Sequence, residues 1–204
     1  FEKEKIWVID PIDGTKGFIN KTDDFSIMVG LLKRAENGEY LSEVGIIYLP
    51  VQDTFYYAAK NKGSYKQKGD KIIKLEVSKK KDIEDFTLLI SRNHFNFIDE
   101  KICEEINIKK TLKIGSIGIK LAYIAEGKAE LYFNTSKNLG EWDVCGPALI
   151  LSEAGGEVFD IHNNQLIFNS KNNKMEKGII ASNKTNHEKI SKIVASVVNK
   201  TKNS

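Results

Sequence analysis

The chain of 204 residues is long enough for one large domain, or for two small domains that share a core. Its composition, 41% hydrophobic and 29% charged with a net charge of +3, is that of an ordinary globular protein. The basic residues are spread out and are not interleaved with aromatic side chains, so we expect no nucleic-acid partner. No apolar stretch approaches the ~20 residues of a membrane span, so we expect no membrane partner either. The two cysteines, Cys103 and Cys145, lack metal-ligand spacing and indicate a reducing compartment, which predicts a cytoplasmic location.

The first part of the sequence predicts an antiparallel meander. An apolar run over 6–9 predicts a buried strand that ends at Asp10-Pro11, because proline has no N–H to contribute to a strand ladder. Turn residues separate the strands that follow, which is typical of hairpins. These strands are predicted over 24–32, 40–49, 53–59 and, as one or two shorter strands, within 64–77. Such a sheet requires helices against its apolar face.

The second part predicts a mixed, mostly parallel sheet with helices on both sides, because strands and helices alternate. The composition becomes polar around 79–85, where we place a boundary between predicted domains 1–82 and 83–204. Strands are predicted over 86–91, 111–114, 129–133 and 178–182. Helices are predicted over 97–106, 116–126, 141–154 and 187–198. The expected fold class is therefore α+β.

The densest chemical motif follows the first predicted strand and reads Asp10-Pro11-Ile12-Asp13-Gly14-Thr15-Lys16. Two carboxylates in a tight turn are suitable ligands for a hard cation such as Mg²⁺. Gly14 and Thr15 add backbone N–H groups and a hydroxyl that could hold an anion. A divalent cation beside an anion site is suited to phosphate chemistry. An isolated Asp-Gly pair would be better explained as an ordinary turn, but the whole motif is not.

A second dense motif contains Trp142-Asp143 followed by Glu153-Ala154-Gly155-Gly156. Asp143 lies at the start of a predicted helix, where unpaired N–H groups favour an anion, so taken alone it would be interpreted as a helix cap. The two motifs together, in this order, resemble the two signatures of the lithium-sensitive, Mg²⁺-dependent phosphatases, the inositol monophosphatase superfamily. The resemblance runs from about residue 5 to residue 182. It implies a layered α/β/α/β/α sandwich.

In that superfamily a helical segment precedes the first signature and ends in a Glu-Glu pair that supplies another metal ligand. No such segment precedes the first motif here, because the chain opens with Phe1-Glu2-Lys3. We therefore expect the chain to be truncated at its N-terminus, with the alternative that it is a naturally short protein.

The resemblance also assigns roles to individual residues. It implies metal ligation by the carboxylates of Asp10, Asp13 and Asp143 and by the carbonyl of Ile12. The implied catalytic residues are Asp10, Asp13, Thr15 and Asp143, with Thr15 orienting the attacking water. Two or three Mg²⁺ ions are expected as cofactors, and Li⁺ is expected to inhibit.

Segments between the two motifs resemble the 3'(2'),5'-bisphosphate nucleotidase branch in particular. Lys16 follows Thr15 as in that branch, and the segments 91–94 and 115–120 are also similar to it, although Asn93 stands where that branch has Ser. The implied substrate contacts are Asp13, Gly14, Thr15, His94, Ser116, Lys120 and Asp143. A second phosphate would need further cations, for which the candidates are Lys16, Arg92 and Lys120; each could equally be a solvated surface residue.

The leading hypothesis is hydrolysis of adenosine 3',5'-bisphosphate (PAP) to AMP, which removes a by-product of sulfate activation. One alternative is hydrolysis of inositol monophosphate or polyphosphate, against which Lys16 argues. Another is a non-catalytic module that binds phosphate or a nucleotide. The expected partner is a small phosphate ester, and the expected assembly is a monomer or a homodimer. The spacing around Gly14 lacks the P-loop pattern, which excludes a P-loop NTPase.

Overall fold

The computed structural model describes residues 3–202 and contains two β-sheets. The first sheet is antiparallel, and its six strands follow one another in space as they do in the chain. They are β1 (Lys5–Asp13), β2 (Ser26–Arg34), β3 (Tyr40–Leu49), β4 (Thr54–Ala59), β5 (Ser64–Lys68) and β6 (Lys71–Lys74). A short helix, α1 (Thr15–Ile19), connects β1 to β2. The predicted meander is confirmed.

Strand β1 differs from its prediction in length and in burial. It continues through Pro11 to Asp13, because β1 lies at the edge of the sheet, where a missing N–H is tolerated. Its pairing with β2 shifts register between Asp10 and Asp13. The strand is also not buried: burial alternates along it, and Trp7 and Ile9 are 61% and 58% exposed.

The second sheet has the spatial order β10-β11-β9-β7-β8. Its strands are β7 (Thr87–Ser91), β8 (Lys110–Ile114), β9 (Leu131–Asn134), β10 (Glu157–Phe159) and β11 (Ile179–Ser182). Strand β7 is parallel to β8 and β9, whereas β11 is antiparallel to β9 and β10. The sheet is mixed as predicted, but the predicted predominance of parallel pairing is wrong. The pattern does not reveal β10, which has only three residues.

Four further helices have bounds close to their predictions: α2 (Phe97–Ile106), α3 (Ile117–Ala125), α4 (Cys145–Glu153) and α5 (His187–Lys202). The side chains of Asn96 and Ser116 accept backbone N–H bonds at the starts of α2 and α3. The helix predicted over 141–154 is divided into a 3₁₀ turn (Glu141–Asp143) and α4.

The elements form four layers in the order sheet, helices, sheet, helices. Helices α3 and α4 pack between the two sheets, and α2 and α5 cover the other face of the second sheet. The larger buried cluster includes residues of both sheets and both inner helices, among them Met28, Ile47, Leu121, Tyr132 and Ile150. These layers correspond to the last four of the five predicted layers. Within residues 3–202 no helix has the length and apolar character needed to cross a membrane.

Candidate metal and phosphate site

Three carboxylates that are distant in the sequence come together at one point. Asp10 and Asp13 lie in the last four residues of β1, and Asp143 is the last residue of the 3₁₀ turn before α4. One oxygen of each carboxylate lies within 4.8 Å of one oxygen of each of the others. The two sequence motifs therefore form a single acidic cluster, as predicted.

Close packing of α4 on the first sheet brings Asp143 to the other two aspartates. A Cβ atom on Gly146 would lie 2.6 Å from the carbonyl oxygen of Val29, and one on Gly30 would lie 2.5 Å from the sulfur of Cys145. A Cβ atom on Gly45 would overlap the carbonyl of Gly146. A side chain at any of these positions would collide with α4 or with the sheet, so the three glycines allow the close approach that brings Asp143 near β1.

The acidic cluster lies in a pocket of about 450 Å³. The pocket lining includes all the predicted site residues except Ser116, and it also includes Lys16. The lining also contains three uncharged polar residues that the sequence did not single out, Asn134, Ser136 and Asn138. The pocket therefore combines carboxylates with uncharged polar groups.

Each aspartate has one oxygen held by a donor of the protein. The backbone N–H of Ile12 donates to Asp10 Oδ1 at 3.0 Å, and that of Gly140 donates to Asp143 Oδ2 at 2.7 Å. Asp13 Oδ2 accepts from the hydroxyl of Ser116 and from a backbone N–H in the first turn of α3. These bonds fix the carboxylates while a second oxygen of each is left for another ligand.

The electrostatics of the cluster are those of a site for a cation. Burial raises the pKa of Asp143 to about 7, and the nearby charges of Asp13 and Asp10 contribute to the rise. Burial also raises the pKa of Asp13. Crowded, desolvated carboxylates of this kind are stabilised in ionised form by a divalent cation. The oxygen donor set fits Mg²⁺, which prefers hard oxygen ligands.

Lys120 lies in the pocket wall but is only 1% exposed. Its ammonium group donates to the carbonyl oxygens of Ile114 at 3.1 Å and Gly115 at 2.9 Å, and it lies 4.9 Å from the centre of the Tyr132 ring. Burial lowers the pKa of Lys120 to about 8, so it remains mostly protonated at pH 7. The ammonium group thus braces the loop before α3, and its contact with a substrate phosphate stays a prediction.

Two predicted phosphate contacts are placed differently by the structure. Ser116 is fully buried and does not line the pocket, because its hydroxyl donates to Asp13 and accepts from the N–H of Ile119 at the start of α3. Arg92 does not line the pocket: its Nε lies 3.1 Å from Asp24 Oδ2, and its Nη2 donates to the carbonyl of Lys113. The guanidinium charge is therefore already balanced by a carboxylate of the protein.

Sequence reasoning missed three residues that support the site. Asp24 Oδ2 accepts from the backbone N–H of Gly115 at 2.6 Å, which ties the loop after α1 to the loop before α3. Ser26 and Gly118 both contact Asp13, Ser26 through its hydroxyl and Gly118 through its N–H. Because these contacts join residues 13, 91 and 105 positions apart, no local spacing could reveal them.

A layered α+β fold that brings three carboxylates together in a polar pocket defines a class of protein with a candidate divalent-metal site. The family model described as Inositol monophosphatase family matches residues 2–199, so the chain belongs to the inositol monophosphatase family.

Curated relatives carry two different activities in their names. The chain is 30% identical over 175 residues to the 3'(2'),5'-bisphosphate nucleotidase CysQ of Haemophilus influenzae, covering 84% of this chain and 63% of that protein. It is 30% identical over 168 residues to the inositol-1-monophosphatase of Bacillus subtilis, covering 80% of this chain and 59% of that protein. A solved IMPase of Thermotoga maritima superposes with a TM-score of 0.78 at 25% identity, covering 98% of this chain and 72% of that one. The chain spans less than two thirds of the length of these two curated relatives.

Proposed function

We propose that the protein is a Mg²⁺-dependent phosphomonoesterase. The observation that carries this proposal is the convergence of Asp10, Asp13 and Asp143 in the pocket, with one oxygen of each within 4.8 Å of the others. When bound there, Mg²⁺ would supply an activated water and neutralise charge on the phosphate. Two or three ions and inhibition by Li⁺ are part of the proposal.

The chain's own residues would bind and orient the ester. Gly14 and Thr15 lie in the pocket wall beside the acidic cluster, where a backbone N–H and a hydroxyl can bind phosphate oxygens. The hydroxyl of Thr15 is 3.2 Å from the carbonyl oxygen of Ile12, and this contact keeps it beside the predicted metal ligands. From this position Thr15 can orient a water molecule for attack on the phosphorus.

The proposed substrate is PAP, which carries a second phosphate. The pocket wall contains the ammonium groups of Lys16 and Lys120 and the imidazole of His94, which would bind an ester with more than one phosphate. The resemblance of 91–94 and 115–120 to the bisphosphate nucleotidases, together with the CysQ relative, supports this choice over other esters.

An inositol phosphate is the second candidate, and the uncharged polar residues of the pocket lining favour it. The amides of Asn134 and Asn138 and the hydroxyl of Ser136 are suited to the ring hydroxyls of a polyol, whereas a phosphate prefers cations. The relative from Bacillus subtilis carries this activity in its name.

Phosphate release from PAP and from inositol 1-phosphate, with Mg²⁺ and with EDTA as the control, tests both candidates. We expect Mg²⁺-dependent release with a larger kcat/KM for PAP. A larger kcat/KM for inositol 1-phosphate would contradict the proposal that PAP is the substrate, but it would support the proposed phosphomonoesterase reaction. No release from either ester, with binding of either retained, would favour a non-catalytic phosphate-binding module.

A further inference from the structure

One oxygen of Asp13 is surrounded by donors of the protein. Asp13 Oδ2 accepts a hydrogen bond from Ser116 Oγ at 2.5 Å and another from the backbone N–H of Gly118 at 2.9 Å. The hydroxyl of Ser26 lies 3.3 Å from the same oxygen. Ser26 and Ser116 are fully buried, so these donors have no water to exchange with.

The hydroxyl protons can be assigned by counting. Ser116 has a single hydroxyl proton, and it is donated to Asp13. Ser116 Oγ then acts as an acceptor, from the N–H of Ile119 at 3.1 Å and from Ser26 Oγ at 2.9 Å. Ser26 therefore shares its proton between Ser116 and Asp13, and Asp13 Oδ2 receives two full donors and part of a third.

The other two aspartates are held less completely. Within the part of the chain that the structure describes, Asp10 Oδ1 and Asp143 Oδ2 each accept one backbone N–H. Each carboxylate oxygen has about two lone-pair positions, so these two oxygens can still reach a metal. For Asp13 the lone pairs of Oδ2 are used by the protein, and only Oδ1 is left for a cation.

A carboxylate with one available oxygen distinguishes between divalent cations. Mg²⁺ takes near-octahedral single-oxygen ligands, whereas the larger Ca²⁺ takes six to eight oxygens and often both oxygens of one carboxylate. We propose that Ser116, supported by Ser26 and the N–H of Gly118, is a positioning residue that restricts Asp13 to single-oxygen ligation and so favours Mg²⁺ over Ca²⁺. This inference rests on the metal site of the proposed function and adds the residue that determines its ion selectivity.

The test measures Mg²⁺ and Ca²⁺ binding by calorimetry in the absence of substrate. Ser116→Ala removes the hydroxyl donor and frees a lone pair of Asp13 Oδ2. Since residues behind a metal ligand typically contribute 10- to 100-fold to metal affinity, we expect the Mg²⁺ affinity to fall by about tenfold or more. The Ca²⁺ affinity is expected to change much less, so the ratio of the two affinities falls with the Mg²⁺ affinity.

Three further variants test whether the ratio of the Mg²⁺ and Ca²⁺ affinities depends on the hydroxyl groups beside Asp13. Ser116→Thr keeps the hydroxyl and is expected to restore the wild-type ratio. Ser26→Ala removes the shared donor and is expected to lower the ratio to a smaller degree, which also provides a result if Ser116→Ala does not fold. Ser64→Ala is the matched control, because Ser64 is a fully buried serine of β5 outside the pocket.

The ratio separates ion selectivity from general damage, because an unfolded fraction lowers binding of both ions equally. An unchanged ratio in Ser116→Ala and Ser26→Ala, with both ions still bound, would overturn this inference and leave the proposed function standing. Failure of the wild-type protein to bind either ion would overturn both.

Discussion

Ionised side chains of the acidic cluster destabilise the metal-free protein, and a bound cation would remove this destabilisation. Burial and the neighbouring aspartates raise the pKa of Asp143 to about 7, so its ionised form is disfavoured in the metal-free protein. A raised folded-state pKa means that the folded protein binds more protons than the unfolded chain between about pH 4 and pH 7. The metal-free protein therefore loses stability as the pH rises through this range.

Asp143→Asn tests whether the carboxylate that lowers the stability of the metal-free protein is also required for metal binding and activity. At pH 8 in EDTA we expect the variant to be more stable than the wild type by about 1 kcal/mol or more, because the amide removes a charge beside Asp10 and Asp13. With Mg²⁺, we expect the wild type to gain thermal stability and the variant to gain none. Phosphate release should fall by at least about 100-fold, since even residues behind a metal ligand contribute 10- to 100-fold.

Asp53→Asn is the control for this change. Asp53 is exposed, lies outside the pocket, and has a left-handed backbone (φ 44°) that asparagine also tolerates. Its substitution should alter neither the Mg²⁺-induced stabilisation nor phosphate release. Wild-type turnover in Asp143→Asn would contradict the assignment of Asp143 as a metal ligand.

Among the elements, α3 is the one that connects the acidic cluster to the rest of the fold. Its first turn contacts Asp13 through Ser116 and Gly118, and it packs against β2 through Gly118. A Cβ atom on Gly118 would lie 2.6 Å from both Met28 Sδ and Ser26 Oγ. The glycine therefore allows the helix to approach the strand closely enough for its N–H to reach Asp13.

Gly118→Ala is expected to destabilise the protein by about 1–3 kcal/mol, the usual cost of overpacking a core. Because the added methyl group must displace the side chains of Met28 and Ser26 or move α3 away from β2, the variant should also lose Mg²⁺ affinity. Urea unfolding in EDTA measures the stability change, and calorimetry measures Mg²⁺ binding.

Gly69→Ala is the control that separates a loss of stability from a loss of Mg²⁺ affinity. Gly69 has a positive φ of 54° with nothing within 4 Å of an added Cβ, so alanine there costs about 1 kcal/mol of backbone strain without any contact with the site. Equal Mg²⁺ affinity in Gly118→Ala and in the wild type would show that the position of α3 does not control Asp13.

At the scale of the whole molecule, the sequence predicted what local patterns encode. The bounds predicted for helix α2 are those observed, because its isoleucines repeat along one face. The capping box formed by Asn96 and Asp99 at the start of the helix is a finding of the structure. Strand β3 was likewise predicted, because Pro50 follows it directly. Asp10, Asp13 and Asp143 were predicted to meet only through the family resemblance of their two motifs.

Contacts between distant segments could not be predicted in this way. The role of Pro11 depends on β1 being an edge strand, which is a property of the assembled sheet. The burial of Ser116 depends on β1, β2 and α3 meeting, and residue types at 13, 26 and 116 do not show that they are neighbours. The antiparallel β11 follows a long irregular segment whose path no local pattern determines.

The stability of the whole fold should also depend on His187, the first residue of α5. His187 is buried, its Nδ1 lies 2.6 Å from Ser182 Oγ, and its ring packs against Phe159. Its Nε2 has no hydrogen-bond partner among the described residues, so a protonated ring would leave an N–H without an acceptor. Burial lowers the pKa of His187, and Glu157 opposes this only in part.

The lowered pKa of His187 determines how the folding stability changes with pH. Below about pH 6.5 the unfolded chain protonates His187 while the folded protein resists it, so stability falls as the pH decreases. We expect this residue to contribute a slope of up to about 1.4 kcal/mol per pH unit between pH 6.5 and pH 5.5. Urea unfolding of the wild type and of His187→Gln at several pH values in EDTA should show a shallower loss of stability in the variant.

His162→Gln is the matched control, because His162 is exposed. His162 lies on a loop outside the packing of α5, so its removal should leave the wild-type slope unchanged. Asp143 contributes a slope of opposite sign in the same pH range, and comparison of variants at each pH cancels that contribution because all of them retain Asp143. If His187→Gln and the wild type lost stability in parallel between pH 6.5 and pH 5.5, the packing of α5 would have to tolerate a charged imidazole.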